Sequence, residues 1–486
     1  MKLSYKAKAC ILRLAAALLC AAAVAILWQE SPVRAETLAE KAFSEKEPLE
    51  RDLYEFSIKV IPMGRSVRMW GLMRLSYVNR TDATLYNIVL RLHANDVEPN
   101  CMAIASVAVN GQSALHTLSQ DGSILNISLP MELKAGESAS VFLRMDMTVP
   151  QTGGRFGINS TGIMFGNALP IAAVYENGAW RDEPYYENGD SFYSLISDYK
   201  VALSVPAGYS LAHTGSRVSR SANGAYDVYY IAAPKVREFA FALIEKAYVE
   251  ETKCLGGRVT VHAMADSRNH AKFAAGCAVS ALEFFSEKIG DYPYSDLYVA
   301  PFDLSGGMEY PGLIMIYRGD IKESRGAEGA LVIGHETAHQ WFYNLVGSDQ
   351  VNAPWLDEAL VEYLAFDFLR SYMGDDAANK IDDERYGQFR TTYERKLRLD
   401  SALSEFAGAD YFYVVYAYGY EFYYQLVKEI GSGAFYEGLK TYYYANYMGV
   451  GTKERLIAAF SEAAGRDLTD WFEAHIQPPQ SAEDRR

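Results

Sequence analysis

Two histidines four positions apart, His335 and His339, bracket Glu336 in the stretch His-Glu-Thr-Ala-His. On a helix that spacing puts both rings on one face, where they can share a single ion with Glu336 beside them. The whole chain has only 8 histidines, so the pairing is a rare one. Glu358 follows His339 after 18 intervening residues. That gap allows a turn and an antiparallel return helix, and Pro354 suits the first turn of such a helix. Two His and one Glu make a catalytic zinc set that leaves a fourth position to water, whereas a structural site is closed by protein atoms, usually with Cys. No Cys lies near these residues. Glu362 stands one helical turn beyond Glu358, either hydrogen-bonded to a ligand histidine or solvated.

Further motifs surround this core. Trp355-Leu-Asp-Glu358 begins the second helix, Gly306-Gly-Met-Glu309-Tyr310 precedes the first, and Val415-Tyr416-Ala-Tyr-Gly419 comes later. Together with the His-Glu-x-x-His pair and its 18-residue gap, they resemble the gluzincin aminopeptidases, the family of aminopeptidase N and leukotriene hydrolase. The second motif is similar to that family's Gly-x-Met-Glu-Asn and the last to its Val-Tyr-x-Lys-Gly. The resemblance implies an N-terminal β domain and a thermolysin-like catalytic domain, with no counterpart of the family's C-terminal helical domain and hence a more open site.

What the resemblance implies for the chemistry is specific. One Zn²⁺ on His335, His339 and Glu358 would acidify a water and polarise the scissile carbonyl. Glu336 would be the general base and then pass the proton to the leaving amine. Tyr416 would donate to the oxyanion, a role that sequence chemistry alone does not assign among the seven tyrosines of residues 411–424. Glu309 would bind the free α-ammonium of a peptide, with Gly307 and Met308 beside it in the substrate-binding segment. Tyr310 and Tyr418 depart from the Asn and Lys of the family motifs, and no second amine-binding acid is evident in the β half.

These side chains need a frame. Residues 50–245 read mostly as strands: Val141, Leu143, Met145, Met147 and Val149 alternate with Arg144, Asp146 and Thr148, the period of a half-buried strand. Val201, Leu203 and Val205 repeat it, Asn79-Arg-Thr-Asp and Asn110-Gly read as turns, and Pro130, Pro150 and Pro206 are expected to close strands. The expectation is an all-β, sandwich-like domain over residues 44–245. From 246 the pattern becomes mixed and then helical, giving an α+β chain with a catalytic domain at 246–478. A helix is expected from Ser267 to Ile289, a strand at Leu297–Phe302, and helices at 327–346, 354–373, 420–430, 434–446 and 453–464. Residues 479–486 read as a polar tail.

At the N-terminus, Lys2, Lys6, Lys8 and Arg13 precede an apolar run from Leu14 to Trp28 and then Val33-Arg34-Ala35. This is the order of a secretory signal, with cleavage expected after Ala35 and a retained membrane anchor as the alternative. The expected location is outside the cytoplasmic membrane, secreted or anchored to its outer face. Of five cysteines, two fall in this segment, which leaves no disulfide framework and no Cys-x-x-Cys metal pair. The net charge of −15 and the lack of a basic block exclude a binder that relies on neutralising nucleic-acid phosphates. A single apolar run excludes a polytopic membrane protein. Taken together, the residues point to an exported zinc aminopeptidase acting on peptides. A zinc endopeptidase or other zinc hydrolase on the same scaffold remains open, as does a non-catalytic cell-surface binding protein. The preferred N-terminal residue and the oligomeric state are not legible.

Overall fold

The computed structural model describes residues 50–478, so the expected signal segment 1–35 and tail 479–486 lie outside the described residues. The first half is built on an eight-stranded sheet. Its strands run, in spatial order, Ser216–Asn223, Tyr226–Val236, Ser197–Pro206, Leu53–Met63, Ser66–Val78, Ser138–Val149, Met102–Val109 and Gln112–Ser113. All neighbours are antiparallel except Leu53–Met63 beside Ser197–Pro206. The strand Ser138–Val149 shows why the sheet forms: Val141, Leu143, Met145 and Met147 are buried while the residues between them stay half exposed. Their buried face shares one core with two smaller four-stranded sheets, containing Leu85–Arg91 and Phe241–Glu245.

Pro130 does not close a strand. It lies inside Ile124–Leu133, at a break in register where Leu85 pairs with Leu133 and Asn87 with Ser128. An irregularity of this kind tolerates a residue with no N–H to donate.

A five-stranded sheet opens the second half, in the order Tyr248–Cys254, Val259–Ala265, Asp296–Phe302, Leu313–Tyr317 and Gly307–Met308. The short Gly307–Met308 strand is its edge. The helix Arg268–Lys288 packs on this sheet, capped by the Ser267 hydroxyl, which accepts from the His270 backbone N–H. Helices then dominate, among them Gly326–Ala338, Glu358–Met373, Gly419–Ile430, Ser432–Ala445, Lys453–Ala464 and Thr469–Ile476. Their core joins Trp341, Trp355, Phe368 and Phe422 to the long helix through Phe285. A third cluster mixes Met164, Ala212 and Ala242 of the β half with Tyr298, Tyr310 and Met315, so the two halves meet over packed side chains. Among the described residues no helix is long and apolar enough to cross a membrane.

One further expectation needs correction, and two helical segments appear where the sequence pattern indicated none. The helix carrying the histidines ends at Ala338 instead of reaching Val346, with His339 as its C-cap. Beyond it the chain doubles back: Asn344 N–H bonds the His339 carbonyl, and Tyr343 takes φ +109°. The side chains of Tyr343 and Asn344 are held by Glu238 and by the Glu309 carbonyl, contacts that a continued helix would lose. Residues 375–392 are also helical, through Asp375–Asp382, a π-helical turn at Asp383–Gly387 and Gln388–Thr392. Finally, Phe412–Tyr418 forms a second π-helical segment directly before Gly419.

Candidate metal centre and amine pocket

The helix Gly326–Ala338 and the helix Glu358–Met373 pack closely through Gly334, where an added Cβ would fall 2.5 Å from the Phe368 ring. This approach brings His335, His339 and Glu358 together. His335 Nε2 lies 3.1 Å from His339 Nε2 and 3.2 Å from Glu358 Oε2, and His339 Nε2 lies 3.5 Å from the same oxygen. Donors around a tetrahedral ion at about 2.0–2.1 Å stand about 3.3 Å apart, so this triangle fits a zinc ion. Two imidazole nitrogens facing each other at 3.1 Å also need a cation or a shared proton between them.

The charges agree with that fit. Burial works against a charged ring at both histidines, yet the carboxylates outweigh it. His335 is held up at about 9 by Glu358 and Glu362, and His339 is held well above its usual range by Asp357 and Glu358. Burial opposes the Glu358 carboxylate as well, and the two histidines still keep it far below the usual range. The site as folded favours added positive charge.

Each ligand is steered from behind. Glu362 is buried, and its Oε2 sits 2.7 Å from His335 Nδ1. It is therefore not a solvated charge: it stands buried beside the ring as an ion-pair neighbour. His339 Nδ1 lies 3.0 Å from the Phe342 carbonyl and 2.8 Å from Asp357, a residue that sequence reasoning did not single out. The π-helical turn 383–387 closes the set: the Tyr386 hydroxyl donates to Glu362 Oε1, and Arg385 is 3.7 Å from the same oxygen. Such outer contacts fix ring orientation and ligand basicity.

His335, His339, Glu358, Glu362 and Arg385 line one cavity of about 570 Å³, together with Glu336, Gly307, Met308, Glu309, Tyr411 and Tyr416. Glu336 is buried, its Oε2 has no hydrogen-bond partner, and burial pushes its carboxyl up to about 7. The edge strand passes directly over it: a Cβ at Gly307 would fall 2.3 Å from Glu336 Oε1. Any larger residue there would displace the carboxylate. Tyr416 stacks on His335 with ring centroids 5.8 Å apart, and the π-helical segment aims it into the cavity. Of its neighbours, Tyr418 bonds the His475 carbonyl at 2.8 Å and Tyr413 packs on Phe389 at 4.0 Å, so neither competes. Tyr411 does line the cavity, with a buried hydroxyl that lacks a partner.

In the same cavity stands Glu309, buried, its carboxyl pushed well above the usual range by burial and then by the charge of Asp190. Asp190 is an acid of the β half that sequence reasoning did not single out. Oxygens of Asp190, Glu309 and Glu358 lie within 4.8 Å of one another. Asp190 is fixed by an ion pair with Arg155, whose guanidinium rests 4.8 Å over the Phe192 ring. The nearest sequence signal was the Asn-Gly-Asp of residues 188–190, which reads only as a turn. With Glu358 on a metal ion, Glu309 and Asp190 would remain as a carboxylate pair able to accept a cationic group.

Comparisons with known proteins agree on the region. Residues 273–475 match the peptidase family M1 domain. Aminopeptidase N of Streptomyces lividans is 28% identical over 216 residues, covering 40% of this chain and 24% of its own length. Endoplasmic reticulum aminopeptidase 1 of Mus musculus is 33% identical over 137 residues, covering 26% and 15% respectively. Aminopeptidase N of Lactococcus lactis subsp. lactis is 28% identical over 238 residues, covering 44% and 27%. The matched stretches therefore span between 15% and 27% of these relatives.

Proposed function

Because the chain belongs to peptidase family M1 through residues 273–475, we propose that it is a zinc aminopeptidase that removes N-terminal residues from peptides. The observation that carries this reading is one cavity that holds a His-His-Glu triangle, an unpartnered glutamate and, beside them, a carboxylate pair. We read residues 44–245 as the β domain and 246–478 as a thermolysin-like catalytic domain. The export pattern of Lys2–Ala35 supports a place outside the cytoplasmic membrane.

A zinc ion on His335, His339 and Glu358 would supply acidified water and a polarised carbonyl. The chain's own residues do the rest. Glu309 and Asp190 hold the α-ammonium, which sets the first peptide bond beside the histidines. The edge strand Gly307–Met308 keeps the substrate backbone against Glu336. Glu336 Oε2 takes a proton from the attacking water as its oxygen bonds to the carbonyl carbon. The carbonyl oxygen gains negative charge and accepts from the Tyr416 hydroxyl. When the C–N bond breaks, Glu336 returns the proton to the departing amine, so it ends the cycle ionised.

The deciding experiment pairs a panel of aminoacyl fluorogenic substrates with a chelator. Release of the fluorophore that stops with chelator and returns with zinc is expected. Activity untouched by chelation, or cleavage confined to internal bonds of long peptides, would sink the reading. N-terminal sequencing of the mature protein should begin at Glu36 or at a retained anchor.

A further inference from the structure

Glu238 is a buried carboxylate with no part in the steps above. It lies just after the strand Tyr226–Val236 of the β half, next to Arg237. Both its oxygens accept from neutral donors: the Tyr343 hydroxyl on Oε1, and Asn167 Nδ2 at 2.6 Å on Oε2. Burial pushes its carboxyl up to about 7, against the pull of the Tyr343 donor and the charge of Arg155. The cavity beside it is about 20 Å³, room for one water and no ligand. Its effect must therefore pass through its neighbours.

Those neighbours converge on the main chain of Glu309. An ionised Glu238 can only accept, so Asn167 must turn Nδ2 toward it and Oδ1 away. Oδ1 then accepts from the Tyr310 hydroxyl at 2.9 Å. That phenol lies where Gly166 leaves space, since a Cβ there would fall 2.0 Å from it. On the other side, Tyr343 is bound twice by consecutive residues, its hydroxyl by Glu238 and its carbonyl by Arg237 Nε. The next side chain, Asn344, donates to the Glu309 carbonyl at 3.0 Å. Asn167 and Tyr343 both hold positive φ, +50° and +109°. For a bulky residue such as Tyr343 this conformation is costly, and it persists only where surrounding contacts over-determine it.

We propose that Glu238 is a positioning residue for Glu309: through Asn167 and Tyr310 on one side, and Tyr343 and Asn344 on the other, it fixes the backbone that presents the Glu309 carboxylate and thereby sets the preference for a free amino terminus. The proposal rests on Glu309 as the amine anchor. The Tyr310 phenol, standing where the family motif has Asn, is the group that makes the contact with Asn167.

The test compares kcat/KM for a free peptide and its N-acetylated twin in wild type, Glu309→Gln, Glu238→Gln, Tyr343→Phe and Tyr310→Phe, with zinc content and Tm measured on each. Glu309→Gln should collapse the free-to-acetylated ratio. Glu238→Gln should lower it roughly two- to twelvefold, the worth of one hydrogen bond, through KM of the free peptide, with one zinc retained. If Glu238→Gln does not fold, the two Phe variants carry the test, each cutting one arm of the network. A ratio that survives in the Glu238, Tyr343 and Tyr310 variants but falls in Glu309→Gln overturns the proposal and leaves the anchor standing. Equal loss on both peptides also overturns it, since a purely structural role predicts that. A ratio unmoved in Glu309→Gln removes the anchor itself, and the proposal with it.

Discussion

The two ends of the cavity are built in opposite ways. At the metal end, His335, His339 and Glu358 come from two successive helices, and Glu362 lies one turn further on. At the amine end, Glu309 sits at the tip of an edge strand, Asp190 in a loop of the β half, and Arg155, Asn167 and Glu238 arrive from three more segments. Helical periodicity makes the first end local, since about 3.6 residues per turn puts residues four apart on one face. The second exists only after two β sheets and the catalytic sheet have packed together. A local site keeps its ligands aligned even when a neighbour changes, whereas an assembled site depends on every segment that reaches it.

The largest effect that would test this contrast belongs to the metal end. Glu336→Gln should abolish turnover while metal content stays near one per chain, because the three ligands lie on their own helices and do not touch the replaced oxygen. Metal analysis of the purified variant beside its rate decides it, and an active variant would remove Glu336 from the chemistry. Next comes Tyr416→Phe, for which loss of one oxyanion donor typically costs about 10²–10³ in kcat with little change in KM. Tyr411→Phe is expected to cost less, because no contact places its hydroxyl by the histidines. A reversed order of the two would move the donor role to Tyr411.

The same contrast explains what could be read from the amino acids. Alternating burial along Ser138–Val149 and the helix that follows Ser267 were legible, because each depends on neighbours within one element. So was the triad of metal-binding types. The end of the histidine helix was not: the local pattern continues apolar through Trp341 and Leu345, and the chain turns only because Glu238 and Glu309 claim Tyr343 and Asn344. The π-helical segments at 383–387 and 412–418 were hidden for a similar reason, since their extra residue is set by what Tyr386 and Tyr416 must reach. Asp190 carried only the signal of a turn, Asn188-Gly189-Asp190, and none of a pocket. Nothing near it in sequence is part of the pocket, and its partner Arg155 is 35 positions away.

Smaller effects probe how far the metal end is really local. Tyr386 links two parts of it, donating to Glu362 and packing on Phe412, which in turn stacks on Tyr416 with centroids 5.7 Å apart. Tyr386→Phe removes only the donation, so the ring contact to Phe412 survives. Zinc affinity measured by chelator competition should fall by about 10–100-fold, the usual range for such outer partners, while kcat of the zinc-saturated enzyme stays close to wild type. A drop in kcat at saturating zinc would instead show that the hydroxyl also holds Tyr416 in place.

The smallest expected effect lies at the amine end, in Asp190→Asn. Its carboxylate is already paired with Arg155, so an incoming ammonium meets less than a full negative charge there. Glu309 has no such cation, and burial leaves it in greater need of one. Asparagine keeps an oxygen that can accept from the ammonium, so the loss approximates one neutral hydrogen bond, about 0.5–1.5 kcal/mol or roughly two- to twelvefold in the free-to-acetylated ratio. For Glu309→Gln the lost bond is charge-assisted, about 1.5–3 kcal/mol and correspondingly more than tenfold. The two variants and their double mutant, assayed on the same peptide pair, separate the contributions. Should Asp190→Asn cost as much as Glu309→Gln, the ion pair with Arg155 must open when substrate binds, and the two acids would be equal anchors. If the double mutant falls no further than Glu309→Gln alone, Asp190 acts only by holding Glu309 in its place.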